Sequence, residues 1–175
     1  MILKTTPGLD TRPTIDRIKE TLFNIINPYI PGAAFLDLFA GSGSIGIEAL
    51  SRGASFAAFV DNNQKAVQCI KDNLAHTKLA EDALVIRANA LNGIKELAAG
   101  RHHFDLVYMD PPYHLGVEEE TLCALSASGI IDKDTLVIVE ADKHNQLDFI
   151  ESTDFEVIRE KEYKTNKHYF LKIRS

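Results

Sequence analysis

Ala34-Phe35-Leu36-Asp37-Leu38-Phe39-Ala40-Gly41-Ser42-Gly43-Ser44-Ile45-Gly46 decides how this chain is read. Its first six residues have the length and apolar character of a buried strand, and the glycines end it. Past them, Ile45 to Ser51 reads as a helix. The bend carries G-x-G-x-x-G, whose glycines let backbone approach a ligand closely, and the helix start adds free N–H groups. Alone this is a weak sign of a dinucleotide. Asp37 changes the reading, because it stands inside the strand end, four residues before Gly41. A carboxylate there repels a pyrophosphate and suits an ammonium group, such as the amino-acid end of S-adenosylmethionine. Phe39, Gly41 and Gly43 belong to the same candidate cofactor site. The alternative is that Asp37 merely caps the N–H groups of the loop.

Outward from this bend the chain alternates. Thr14 to Asn27 carries Ile15, Ile18, Leu22, Phe23, Ile25 and Ile26 near helical period. Pro13 fits its first turn, and Pro28 and Pro31 end it. After the glycine bend come a strand (Ser55 to Val60), a helix (Asn63 to His76), a strand (Ala83 to Arg87) and a helix (Gly93 to Ala99). Then follow a strand (Phe104 to Met109), a helix (Glu118 to Ser126) and a strand (Thr135 to Val139). Phe155 to Lys161 and His168 to Ile173 close the chain as a hairpin around Lys164-Thr165-Asn166. Alternating strands and helices predict an α/β fold with a parallel sheet covered on both faces, made mixed by the closing antiparallel hairpin. Ligands in such sheets sit beyond the carboxyl ends of the strands, near the point where strand order reverses.

The other polar features fall at strand ends too. Asp61, followed by Asn62, ends the second strand, where an acid accepts both hydroxyls of a ribose. It serves equally as the cap of the next helix. Asn89-Ala90 ends the third strand, where Asn89 can accept from an adenine amino group; asparagine is also an ordinary turn residue.

The fourth strand runs into Asp110-Pro111-Pro112-Tyr113. Two prolines cannot continue a helix or a central strand, so the turn is rigid and lies just past the strand end. An exocyclic amine is a poor nucleophile because its lone pair is delocalised into the ring. Two acceptors on its hydrogens favour the pyramidal geometry and strengthen as a methyl sulfonium is attacked. The Asp110 side chain and the Pro111 carbonyl are those acceptors, and Tyr113 stacks on the base for about 1–3 kcal/mol. The competing reading is a structural Pro-Pro turn.

The chain has 175 residues, enough for one domain with a sizeable core. No apolar run approaches the roughly 20 residues that span a bilayer, and no signal-peptide layout opens the chain, so a cytoplasmic protein is expected. Cys69 and Cys123 are too few for a disulfide framework and form no CxxC pair; His102-His103 reads as an exposed loop, and no metal is expected. The formal net charge of −6 disfavours a nucleic-acid partner, but its distribution is uneven. From residue 157 onward six bases face two acids. Lys164 and Lys167 there are candidates for phosphate contact, or else they guard an edge strand.

Asp37 to Gly46, Asp61, Asn89 and Asp110 to Tyr113 resemble the motifs of amino-methylating, Rossmann-like class I methyltransferases. Leu3-Lys4-Thr5-Thr6-Pro7-Gly8, Thr11-Arg12-Pro13-Thr14 and Asp16-Arg17-Ile18-Lys19-Glu20-Thr21-Leu22-Phe23-Asn24 closely resemble the bacterial 16S ribosomal RNA guanine-N2 methyltransferases. Phe39 to Gly43 and Glu48-Ala49-Leu50-Ser51-Arg52-Gly53-Ala54 fit the same family. The resemblance implies a mostly parallel seven-stranded sheet and methyl transfer from S-adenosylmethionine to N2 of a guanine in 16S ribosomal RNA. It implies as substrate the assembled or assembling small subunit. Arg12 and Arg17 belong to its N-terminal signature and are RNA-binding candidates; Arg12 also fits a surface salt bridge. Residues 1–31 are expected to be an extension and helix, and residues 32–175 the catalytic domain. The family's basic K-G-R strand before the position of Leu3 is missing, and Lys164 stands where the family has glycine. A DNA adenine-N6 or cytosine-N4 methyltransferase, or another RNA base-amine methyltransferase, uses the same turn chemistry. A nicotinamide oxidoreductase leaves Asp37 and the proline turn unexplained.

Overall fold

The computed structural model describes residues 12–112 and 116–175. Seven strands form one sheet: β1 (Ala34–Leu38), β2 (Phe56–Asp61), β3 (Ala83–Arg87), β4 (Leu106–Met109), β5 (Leu136–Asp142), β6 (Phe155–Glu162) and β7 (Asn166–Ile173). Their order is β3-β2-β1-β4-β5-β7-β6. β1 to β5 pair in parallel, and β7 runs antiparallel to both β5 and β6. The helices are α1 (Arg12–Ile26), α2 (Ser44–Ser51), α3 (Gln64–Thr77), α4 (Ala90–Ala99) and α5 (Glu118–Ser128). The expected mixed α/β sheet is the one observed. Chain order reverses between β1 and β4, which places the crevice of such folds at their carboxyl ends.

Strand alternation sorts the core into two layers. Leu36, Leu38, Val107, Met109 and Val139 pack with Ile94 and Leu97 of α4 and Leu122 and Leu125 of α5. Phe35, Phe59, Leu106, Tyr108 and Ile138 pack on the other face with α1, α2 and α3, through Phe23, Ile47, Ile70 and their neighbours. Lys19 meets Glu48 at 3.6 Å, and Arg52 meets Asn27 at 3.1 Å. These two contacts set α1 alongside α2 in the same direction.

The boundaries move for local reasons. β1 stops at Leu38 because Phe39 takes φ 57°, a left-handed conformation unusual for a bulky residue. α4 starts at Ala90 instead of Gly93, because the Asn89 side chain caps it through the Asn92 N–H at 2.8 Å. β5 continues to Asp142 because Glu140, Ala141 and Asp142 pair with His168, Lys167 and Asn166. That pairing likewise starts β7 at Asn166.

Gly46 is the third glycine of the bend, and its place against the sheet depends on having no side chain. A Cβ there would lie 2.4 Å from Phe59 Cε1, and Phe59 is fully buried. Gly46→Ala must therefore push α2 off β2. Overpacking of this kind costs about 1–3 kcal/mol, so the variant is expected to melt several degrees below the parent protein in a thermal unfolding scan.

Candidate active site

The site is assembled from the carboxyl ends of β1, β2, β3 and β4. Asp37 on β1 is 2% exposed, and its Oδ2 accepts a hydrogen bond from the Gly46 N–H at 3.0 Å. The capping contact is real, and it ties the start of α2 to the strand. Burial pushes the Asp37 carboxyl well above its ordinary 3.8; the Gly46 N–H pulls it down and the nearby Asp61 charge adds to the rise. A buried carboxylate in that condition gains from a cationic partner.

Asp61 ties the bend to β2. Its Oδ2 accepts from the Gly41 N–H at 2.9 Å and its Oδ1 from the Asn63 N–H at 2.9 Å. The helix cap is Asn63, not Asp61: Asn63 Oδ1 accepts from the N–H groups of Lys65 and Ala66. A carboxylate offers about four lone-pair positions, so these two bonds leave Asp61 with capacity for hydroxyl donors. Gly41 takes φ 59°, and a Cβ built on it meets nothing within 4 Å. Backbone is thus exposed at the bend itself. Asn62 and Asn89 are exposed at the ends of β2 and β3, and Ala90 is buried as the first residue of α4.

Asp110 follows Met109, whose register partners are Leu38 on β1 and Val139 on β5. Asp110 is half-buried, Pro111 buried and Pro112 exposed. Tyr113 lies outside the described residues, as do Leu3 to Thr11 of the N-terminal signature and the side chain of Arg12. Arg12 begins α1, and Arg17 is exposed on it. Lys164 is exposed in the turn between β6 and β7, which lies at the same sheet edge as Asp110 because β7 starts opposite Asp142. Lys167, expected to face phosphate, is turned inward. It is 4% exposed, with Nζ 3.4 Å from Glu160 Oε1 and 4.7 Å from the centre of the Tyr169 ring. Its charge is matched within the hairpin.

Two groups escape a reading of the sequence. Asn73, buried on α3, donates to the Ser42 carbonyl at 3.0 Å and braces the glycine bend. Glu140 on β5 gathers a buried polar cluster. Its Oε1 accepts from the Tyr108 hydroxyl and from His168 Nε2 at 2.7 Å, and its Oε2 from Asn166 Nδ2 at 2.9 Å. The Tyr163 hydroxyl lies 2.9 Å from His168 Nδ1. Glu140 shows in the sequence only as an acid interrupting an apolar strand. Its partners depend on an antiparallel register that sequence does not carry.

Concavity alone would mislead. Two clefts, of about 310 and 260 Å³, are lined by residues such as Tyr29, Asp105 and Lys172, and by Arg101, His102 and Ile130. Both lie at the amino ends of the strands and include none of the candidate site residues. The chemistry at the opposite edge is the better guide.

Residues 2–172 match the family model described as Conserved hypothetical protein 95. The chain belongs to that family. It is 41% identical over 141 residues to Ribosomal RNA small subunit methyltransferase D of Escherichia coli, covering 81% of this chain and 68% of that one. A solved conserved hypothetical protein of Streptococcus pyogenes matches with TM-score 0.80 and 36% identity, over 89% of this chain and 95% of that one. The ribosomal protein L11 methylase of Lactobacillus delbrueckii subsp. bulgaricus matches with TM-score 0.76 at 18% identity, over 100% and 86% of the two chains. That last likeness shows the fold alone.

Asp37 makes a signed prediction. Its folded-state pKa is raised, so its contribution to stability is present below the ordinary 3.8 and is lost as pH rises through the folded value. Asp37→Asn keeps an acceptor for Gly46 and removes the buried charge. In the absence of ligand the variant should be the more stable protein at neutral pH. Its advantage in thermal midpoint should shrink as pH falls toward 4, measured by scanning calorimetry in parallel.

Proposed function

We propose that this chain is an S-adenosylmethionine-dependent methyltransferase that modifies the exocyclic N2 amine of a guanine in 16S ribosomal RNA. The substrate is the assembled or assembling small subunit, which places the work in the cytoplasm. One observation carries the reading. The rigid Asp110-Pro111-Pro112 turn ends β4, next to the β1 strand that buries Asp37, at the point where strand order reverses. The family membership and the rRNA-methyltransferase relative support it.

The residues present fit the cofactor. Asp37 is a buried carboxylate with a raised pKa, suited to an ammonium group; Asp61 has acceptor capacity for ribose hydroxyls; Gly41 offers open backbone. Phe39, Gly43, Asn62, Asn89 and Ala90 complete the set, with Asn89 as acceptor for an adenine amine. When bound, S-adenosylmethionine supplies an electrophilic methyl group. The Asp110 carboxylate and the Pro111 carbonyl hold the two hydrogens of the target amine and favour a pyramidal nitrogen. Charge develops on that nitrogen as the bond forms, so both contacts strengthen on the way to the transition state. The proton then leaves to Asp110 or to water. Pro112 keeps the turn rigid and Tyr113 stacks on the base. Residues 32–175 are the catalytic unit, and residues 1–31 its N-terminal extension and helix, whose Leu22, Phe23 and Ile26 pack into the same core.

RNA docking falls to Arg12 and Arg17 of α1 and to Lys164 in the hairpin turn. Lys167 is left out because it is paired internally.

The test is to incubate the protein with labelled cofactor and small subunits lacking the modification. Label is expected in N2-methylguanine, and none on duplex DNA. Asp110→Ala should lower the rate by roughly 10²–10³-fold, the usual cost of removing one such transition-state contact. Transfer to DNA but not to subunits would overturn the substrate assignment. Lys164→Glu should weaken RNA binding across sequences, and the slope of log affinity against log salt should fall by about 1, read by filter binding at several ionic strengths.

A further inference from the structure

We propose that Glu140 is a positioning residue of this active site. It anchors the end of β4 that presents Asp110, by drawing side chains of β4 and β7 onto one carboxylate. The proposal rests on the methyl-transfer reading above.

The need for an anchor follows from the turn. The last registered pair between β4 and β5 is Met109 with Val139. Pro111 and Pro112 have no N–H, so backbone donation cannot extend the ladder past Asp110. Asp110 thus stands one residue past the last registered pair of β4 with β5. Tyr108 is two residues before Asp110 and pairs in register with Ile138. Its hydroxyl reaches past that partner, toward the carboxyl edge, to Glu140. A side-chain bond thereby adds a second attachment of β4 to β5 beside the last rungs of the backbone ladder.

The anchor is fixed from the far side as well. Glu140 pairs in register with His168 of β7, whose Nε2 holds Oε1 at 2.7 Å. Asn166 holds Oε2 at 2.9 Å. His168 is fully buried and Asn166 is 3% exposed. Burial works to raise the Glu140 carboxyl, but the bonds and charge of His168 and the bonds of Tyr108 and Asn166 outweigh it and hold the group below its ordinary 4.5. An ionised carboxylate accepting three donors has little rotational freedom, so the phenol it holds has little either.

Tyr163, His168 and Glu140 have the outline of a nucleophile–base–acid relay, yet their chemistry is different. Burial and the Glu140 charge raise the Tyr163 hydroxyl, which therefore keeps its proton. Tyr108 is raised as well, by burial and by the charges of Glu140, Asp110 and Asp37. Neither phenol is activated for attack. The cluster holds; it does not react.

Three variants and two readouts test this. Tyr108→Phe keeps the ring and removes one bond; Glu140→Ala removes the anchor; Glu140→Gln keeps the acceptor for Tyr108 and His168, with the Asn166 amide turned over to match. On subunits, Tyr108→Phe should lower kcat about 10-fold and Glu140→Ala about 100-fold, the scale of a misplacement near 1 Å, with cofactor Kd and RNA KM within about 2-fold. Glu140→Gln should recover most of kcat. Backbone amide exchange over residues 106–110 should quicken in Tyr108→Phe and Glu140→Ala and stay slow in Glu140→Gln. Normal kcat and normal exchange in Tyr108→Phe would overturn the proposal, as would a loss confined to cofactor Kd. Tyr108→Phe leaves the core packing intact, so the question stays decidable if Glu140→Ala does not fold. If the parent protein methylates nothing, the function reading fails, and the exchange data still decide the anchor.

Discussion

A carboxylate buried at the end of the central strand is the constraint around which this edge of the molecule is arranged. Asp37 lies on β1, flanked by β2 and β4, with Phe59 and Tyr108 as its register partners. Neither neighbour is a cation. The Gly46 N–H is the hydrogen bond the structure gives it, and that bond fixes where α2 must begin. Because α2 begins there, Gly46 presses on Phe59 and the chain needs a tight bend between Leu38 and Ser44. Phe39 enters that bend in a left-handed conformation, which costs energy that the surrounding packing has to offset. One unfavourable burial thus sets the helix start, the glycines and the strained residue together.

The sheet then repeats acids along one edge. Asp61, Asp37, Asp110 and Glu140 belong to four adjacent strands, and each meets its charge differently. Asp61 is half-exposed and holds two backbone N–H groups. Asp37 has its pKa raised. Glu140 has its pKa lowered by side-chain donors. Residues of one chemical type are thus given different electrostatic states by burial and donor count.

Much of this was legible in the residues. The strand–glycine–helix bend at Ala34 to Ser51 and the alternation after it gave the layer architecture, because period and punctuation are local properties. Asp37, Asp61 and Asp110 were legible because each follows an apolar run at a strand end. Lys167 was misjudged because a lysine in a basic tail looks solvated, and only the hairpin register brings Glu160 and Tyr169 to it. The cluster at Glu140 was hidden for the same reason. His168 and Glu140 are 28 positions apart, and nothing within either neighbourhood names the other. Asn73 sits at a core-facing position of α3, where a polar residue marks a contact without revealing with what.

The order of strands has a consequence for how the chain acquires its shape. β7 follows β6 in sequence but lies between β6 and β5. The four inner parallel pairings involve residues up to Val139, so the central sheet can form while the hairpin is still unmade. Until β7 docks, Glu140 and Tyr108 have no His168 or Asn166 beside them, and β5 is an open edge. The end of β4 that leads into Asp110 is therefore complete only once β7 is docked on β5. Docking of the hairpin closes the core and the Glu140 cluster together, since Leu171 and Phe170 join the two core layers as His168 and Asn166 reach Glu140.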